Sequence, residues 1–115
     1  MQPRKLIAAA EAGLAPRSSR DIPDLLGACF GADGLILAEG DLSLEFFDLR
    51  TGLAGELFQK FTNYKLRVAL ILPDPAPYGQ RFVELAYEHR THPLIRFVAS
   101  EAEARSWLED ARSQA

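Results

Sequence analysis

Two short, nearly uninterrupted apolar runs limit what this chain can fold into: Leu35-Ile36-Leu37, and LRVALIL at residues 66–72. Runs of this kind belong to strands that are covered on both faces. The cover has to come from helices, and the sequence supplies one after each run. After the first, Leu53, Leu57, Phe58, Phe61 and Tyr64 recur at helical spacing in a helix opening at Thr51-Gly52. Glu56, Gln59, Lys60 and Asn63 fall on its other side. After the second run, Pro73, Pro75 and Pro77 end the strand and keep the following stretch extended. Tyr78, Phe82, Leu85, Ala86 and His89 then share a helical face.

The same alternation extends to both ends. Ser18, Ser19 and Asp21 are good N-caps for a helix over residues 17–30, where Pro23 fits only in the first turn. Its apolar stripe is Ile22, Leu25, Leu26, Cys29 and Phe30, closed by Gly31 and Gly34. Residues 5–12, KLIAAAEA, leave two readings open. The alanines favour helix, while Gly13, Pro16 and Ser18-Ser19 break the pattern soon after. A last strand over 94–99 follows Pro93, and Ser100 with Glu103 forms the capping box of a final helix. Ala104, Trp107, Leu108 and Ala111 give that helix its stripe, and Glu101 with Arg105 an i,i+4 pair; the tail after Asp110 is expected to fray.

At 115 residues there is room for one hydrophobic core. The prediction is a single α/β domain over 1–115, with about four mainly parallel strands, about four helices, and the two apolar runs as interior strands.

Several function classes are disfavoured. The net charge is −3 and the basic residues are scattered, so no concentrated basic face for nucleic acid is expected. The single Cys29 excludes an intramolecular disulfide and a cysteine metal cage, and its place in an apolar stripe reads as a small hydrophobe. No segment has the character of a signal peptide or membrane span, so a soluble cytoplasmic protein with no membrane partner is expected. There is no Gly-rich phosphate loop, Ser-His-Asp order or nucleophile elbow, and hence no catalytic residue or cofactor to name.

The residues that invite a functional reading lie between the first apolar run and its helix. Glu39, Asp41, Glu45 and Asp48 are four carboxylates within ten residues. They form either an acidic rim, solvated or capping, or a site for a divalent cation or acid–base chemistry. Leu44, Phe46, Phe47 and Leu49 are unusually apolar for a connection, and either plug one end of the core or form an interface, with a homodimer the main alternative. Thr51 caps the following helix, and Gly52 and Gly55 could bring it close to another backbone. His89 and His92 sit at a helix end and not at metal-binding spacing, so a structural role is expected.

The stretch ADGLILAEGDLSLEFFDLRTGLAGELFQKFTNYKLRVALI resembles the signature block of a small bacterial family known as domain of unknown function 4180. The likeness continues through YEHRTHPLIRFVASEAEA. That resemblance implies no particular activity; it does favour a strand over residues 5–12. More distantly, FDLRTGLAGELFQKF and LIRFVASEAEARSWL are similar to the sulfate-transporter and anti-sigma-factor-antagonist (STAS) domain. This likeness implies a STAS-like layered fold, with a phosphorylatable Ser or Thr opening the helix after a central strand. Asp48 and Thr51-Gly52 fall near that position, although Leu49 and Arg50 separate the acid from the hydroxyl. The expected function is a non-enzymatic regulatory or protein-interaction module with an unspecified protein partner. The alternative is an anion- or nucleotide-binding domain at the helix N-terminus near Thr51, and the third reading is a metal-assisted enzyme using the acidic connection.

Overall fold

A computed structural model describes residues 5–110. Four strands, β1 (Leu6–Ala8), β2 (Gly34–Ala38), β3 (Val68–Ile71) and β4 (Ile95–Val98), form one sheet in the order β1-β2-β3-β4, with every neighbouring pair parallel. The two apolar runs therefore occupy the interior positions. Leu35 pairs with Val68 and Ala38 with Ile71, which brings the β2 and β3 ends into step at the carboxyl rim.

Among the described residues six α-helices accompany the strands: α1 (Ala9–Ala12), α2 (Ile22–Cys29), α3 (Leu44–Phe47), α4 (Leu53–Asn63), α5 (Gln80–Glu88) and α6 (Glu101–Asp110). Parallel neighbours in sequence order, joined by right-handed crossovers, must place their connecting helices on one face. Accordingly α2, α4 and α5 pack on the face carrying Leu35, Leu37, Val68, Leu70, Ile95 and Phe97. The opposite face, with Ile36, Ala69 and Val98, has no crossover helix to cover it. The terminal helix α6 turns back to do so with Ala104, Trp107 and Leu108. Gly34 is the point of closest approach: a Cβ there would lie 2.6 Å from Leu108 Cδ2.

Several local expectations change. Residues 5–12 are half strand and half helix: Leu6–Ala8 pair with β2, and the alanines then make one helical turn before Gly13 ends it. The predicted helix over 17–30 begins as a 3-10 turn (Ser19–Asp21), where Asp21 accepts the Arg17 and Ser18 amides at 3.0 Å. By spacing Phe30 and Tyr64 belong to apolar stripes, yet they are 54% and 55% exposed. Each is the C-terminal cap of its helix, where the backbone leaves the helical rotation, and the two rings meet edge-to-face at 5.4 Å. Tyr78 lies in a separate 3-10 turn (Ala76–Tyr78) ahead of α5. Nothing stands within 4 Å of a Cβ on Gly52 or Gly55, so neither packs closely against another backbone.

The capping box of α6 is present in shifted form. Ser100 Oγ accepts the Glu103 amide at 3.1 Å, while the Glu103 carboxylate reaches past Ser100 to the amide of Ala99, also at 3.1 Å. Glu101 and Arg105 pair at 2.9 Å. Ala111 and the expected fraying tail lie outside the described residues.

Candidate functional site

The connection from β2 to α4, residues 39–52, sits at the carboxyl rim of the two central strands, where open α/β sheets tend to place their sites. It is a chain of three short helical turns: a 3-10 turn (Glu39–Asp41), α3, and a second 3-10 turn (Leu49–Thr51). Each turn is closed by a side chain of the connection itself. Asp41 Oδ2 accepts the Ala38 amide at 2.8 Å as β2 ends. Ser43 Oγ caps α3 by accepting the Phe46 amide at 3.2 Å, and its hydroxyl donates to the Arg17 carbonyl at 3.1 Å. Asp48 Oδ1 accepts the Arg50 amide at 3.1 Å.

The apolar residues decide how this segment lies. Phe46 is 0% exposed and touches Phe58 and Phe82 at ring distances of 6.1 Å, so it fills the top of the core within its own chain. Phe47 is partly buried and stacks flat on Tyr78 at 3.6 Å. The two adjacent aromatics thus occupy different environments. Tyr78 in turn donates its hydroxyl to the Glu39 carboxylate, locking the rim of β2 to the loop after β3. That bond, with burial and the negative charge of Glu39 behind it, holds the Tyr78 phenol above its ordinary pKa. Leu49 and Leu42 add to the underside. Leu44 does the opposite and stands 86% exposed.

The four carboxylates do not converge. Glu39 is held by Tyr78, Asp41 by the Ala38 amide, and Asp48 by Arg50, while Glu45 stands exposed in the first turn of α3. Among the described residues no three His, Cys, Asp or Glu side chains are grouped to hold a metal ion. Asp48 receives Arg50 Nε and Nη2 at 3.0 Å each, and the Arg50 side-chain and amide bonds keep its carboxyl below the usual carboxylate range.

Thr51 is exposed, but its hydroxyl is engaged. Oγ1 accepts the Leu53 amide at 3.2 Å, and its single proton lies within reach of the Glu45 carbonyl (2.7 Å) and the Asp48 carbonyl (2.8 Å). It holds the first amide of α4 and ties the second 3-10 turn back to α3, but the N-cap position expected of Thr51 falls to Gly52, because Thr51 ends that turn. Gly52, at φ 81°, supplies the left-handed step between that turn and α4. Ser19 Oγ donates to Glu56 at 2.8 Å, fixing the first turn of α4 from the α2 side.

Open clefts flank the connection. One, of about 440 Å³, lies between its first residues and the segment after α1, lined by Leu14, Arg17, Asp41, Leu42 and Ser43. The other, of about 400 Å³, lies between Phe47–Arg50 and Tyr78–Phe82. The serine three residues before Phe46 was a legible N-cap signal for α3. The Tyr78–Glu39 bond joins residues 39 apart and had no local signature. Cys29 is buried in the core, and burial pushes its thiol up to about 11, the behaviour of an inert packing residue. No helix among the described residues is long and apolar enough to cross a membrane.

The family described as "Domain of unknown function (DUF4180)" matches residues 2–108. No curated protein and no solved structure matches the chain.

Proposed function

We propose that the chain, which belongs to the DUF4180 family, is a non-enzymatic regulatory module that works by protein contact through the β2–α4 connection. One observation carries this reading: Leu44 is 86% exposed, two residues before a phenylalanine that is wholly buried. A leucine on a mobile loop can hide or be averaged away. This one stands on a turn whose capping bonds and buried ring fix its position, so its apolar surface is presented to solvent at little ordering cost on binding. Exposed Glu45, Arg50 and Thr51 lie close by in the same connection, an arrangement of apolar centre and polar rim that suits a protein partner. The likeness of FDLRTGLAGELFQKF to the STAS domain supports the finer reading, a STAS-like module whose working face is the helix after a central strand.

Replacing Leu44 by Asp tests the proposal. The variant should keep the thermal melt of the parent, since the side chain buries almost nothing, and should lose at least tenfold in affinity for a partner captured by the parent. Tyr87→Asp serves as control, because Tyr87 is 64% exposed on α5. Equal loss in both variants, or none in Leu44→Asp, overturns the reading. If the partner is a second copy of the chain, Leu44→Asp runs as a folded monomer.

A second reading has its own support in the 440 Å³ cleft: a small-ligand domain in which Arg17 meets an anionic group. An Arg17-dependent shift of amide resonances around the cleft on adding a small anion such as inorganic phosphate would favour it over the first.

A further inference from the structure

We propose that His92 is a latch on the open edge of the sheet, closed while its imidazole is neutral and released when it takes a proton. Among the described residues β4 has a neighbour on one side only, and an edge strand with free amides is a template for any strand it meets. The carbonyls of Leu94 and Val98 accept the amides of Val68 and Leu72 at 2.8 Å. Backbone groups alternate along a strand, so the amides of Ile95, Phe97 and Ala99 face away from β3. All three are taken within the same chain. Ile95 donates to His92 Nδ1 at 3.1 Å, Phe97 to the His89 carbonyl at 3.4 Å, and Ala99 to Glu103 Oε2 at 3.1 Å. Two of the three closures depend on the short segment from His89 to His92. His92 Nδ1 also accepts the Leu94 amide at 3.1 Å.

An imidazole nitrogen accepts only while it carries no proton, so this geometry requires the neutral ring with its hydrogen on Nε2. Protonation places a hydrogen on Nδ1, facing two amide hydrogens. Both bonds are then lost together. The surroundings favour the closed state at neutral pH. The ring of His92 stacks on that of His89, from the end of α5, at 5.1 Å, and the Arg96 guanidinium of β4 donates to the His92 carbonyl at 2.8 Å. These are the titratable and charged groups that act on it. Burial first, then His89 and Arg96, hold the imidazole below its ordinary value of 6.5. His89 has its Nδ1 3.0 Å from the Leu85 carbonyl, as donor, so its neutral form gives no competing acceptor at that nitrogen.

The test is amide hydrogen exchange on the full chain between pH 8 and pH 5, read by NMR and corrected for intrinsic rates. The His92 ring signals are followed in the same samples. Protection at Leu94 and Ile95 should be flat above the ordinary imidazole value of 6.5 and fall by up to roughly tenfold per pH unit below it, until the lowered folded-state pKa is passed, while Leu37 and Leu70 in the interior strands keep theirs. His92→Asn offers an amide oxygen at similar reach that does not titrate, so its Leu94 and Ile95 protection should stay flat. If protection is unchanged while the ring titrates, or falls equally in His92→Asn, the latch does not exist.

Discussion

The connection from β2 to α4 lies at the carboxyl rim of the sheet and the connection from α5 to β4 at its amino rim, and they are held by opposite means. The first is pinned from beneath by an aromatic plug, with Phe46 buried against Phe58 and Phe82 and Phe47 stacked on Tyr78. The second has no comparable plug of its own. Its backbone is gathered by the imidazole of His92 and the guanidinium of Arg96. Apolar burial does not depend on proton activity over the physiological range, whereas an imidazole acceptor does. The difference is between a platform that stays in place and a closure that can be released.

The largest effect should come from removing the plug. Phe46→Ala deletes a wholly buried ring with three aromatic neighbours, and should cost about 3–5 kcal/mol in denaturant unfolding. A cost below about 1 kcal/mol would mean that the platform is held by its capping bonds alone. The contrast with the α5–β4 connection would then disappear.

What could be read beforehand divides along the same line. The interior strands were legible because Leu35 to Leu37 and residues 66–72 are apolar on both faces, which only a covered strand tolerates. The plug was half legible: adjacent phenylalanines signalled burial, but not that Phe46 would go inward while Phe47 found Tyr78. The four carboxylates, close in sequence, left two readings open, a solvated or capping rim and a convergent site, and spacing alone did not name their partners. Three short helical turns rotate them apart and give Glu39, Asp41 and Asp48 separate partners. The closure of β4 was not legible at all, since HRTH carries no sign that His92 Nδ1 will receive two amides. Local patterns report periodicity and caps; they do not report which backbone donors tertiary structure leaves facing outward.

A smaller effect separates the platform's capping from its plug. Thr51→Ala removes the acceptor of the Leu53 amide and the donor to the Glu45 and Asp48 carbonyls, while the buried rings remain. The expected cost is about 1 kcal/mol, the usual net loss for a side-chain hydrogen bond, measured by urea unfolding at neutral pH. Thr51→Ser should recover most of it. A cost comparable to that of Phe46→Ala would mean that the hydroxyl, and not the ring, organises the connection.

The smallest effect, and the one that speaks to the second connection alone, is a pH dependence of stability assigned to His92. Its folded-state pKa lies below the ordinary 6.5, so as pH falls the unfolded chain binds the proton first. The stabilisation from the neutral imidazole is therefore complete above pH 6.5 and is lost as pH falls through the folded-state pKa. Other titrating groups add their own slopes, so the informative quantity is the difference between parent and His92→Asn, which cannot titrate at that position. That difference should favour the parent least at pH 5 and most at pH 7.5, with its change centred below 6.5. The size is limited because His92 is only partly buried and its charged form keeps some solvent. A difference that is flat with pH would place both connections in the same class, held without regard to protons. A difference of opposite sign, with the parent gaining on His92→Asn as pH falls, would mean that the protonated ring is the one the fold prefers, and that His92 faces an acceptor and not the amides of Leu94 and Ile95.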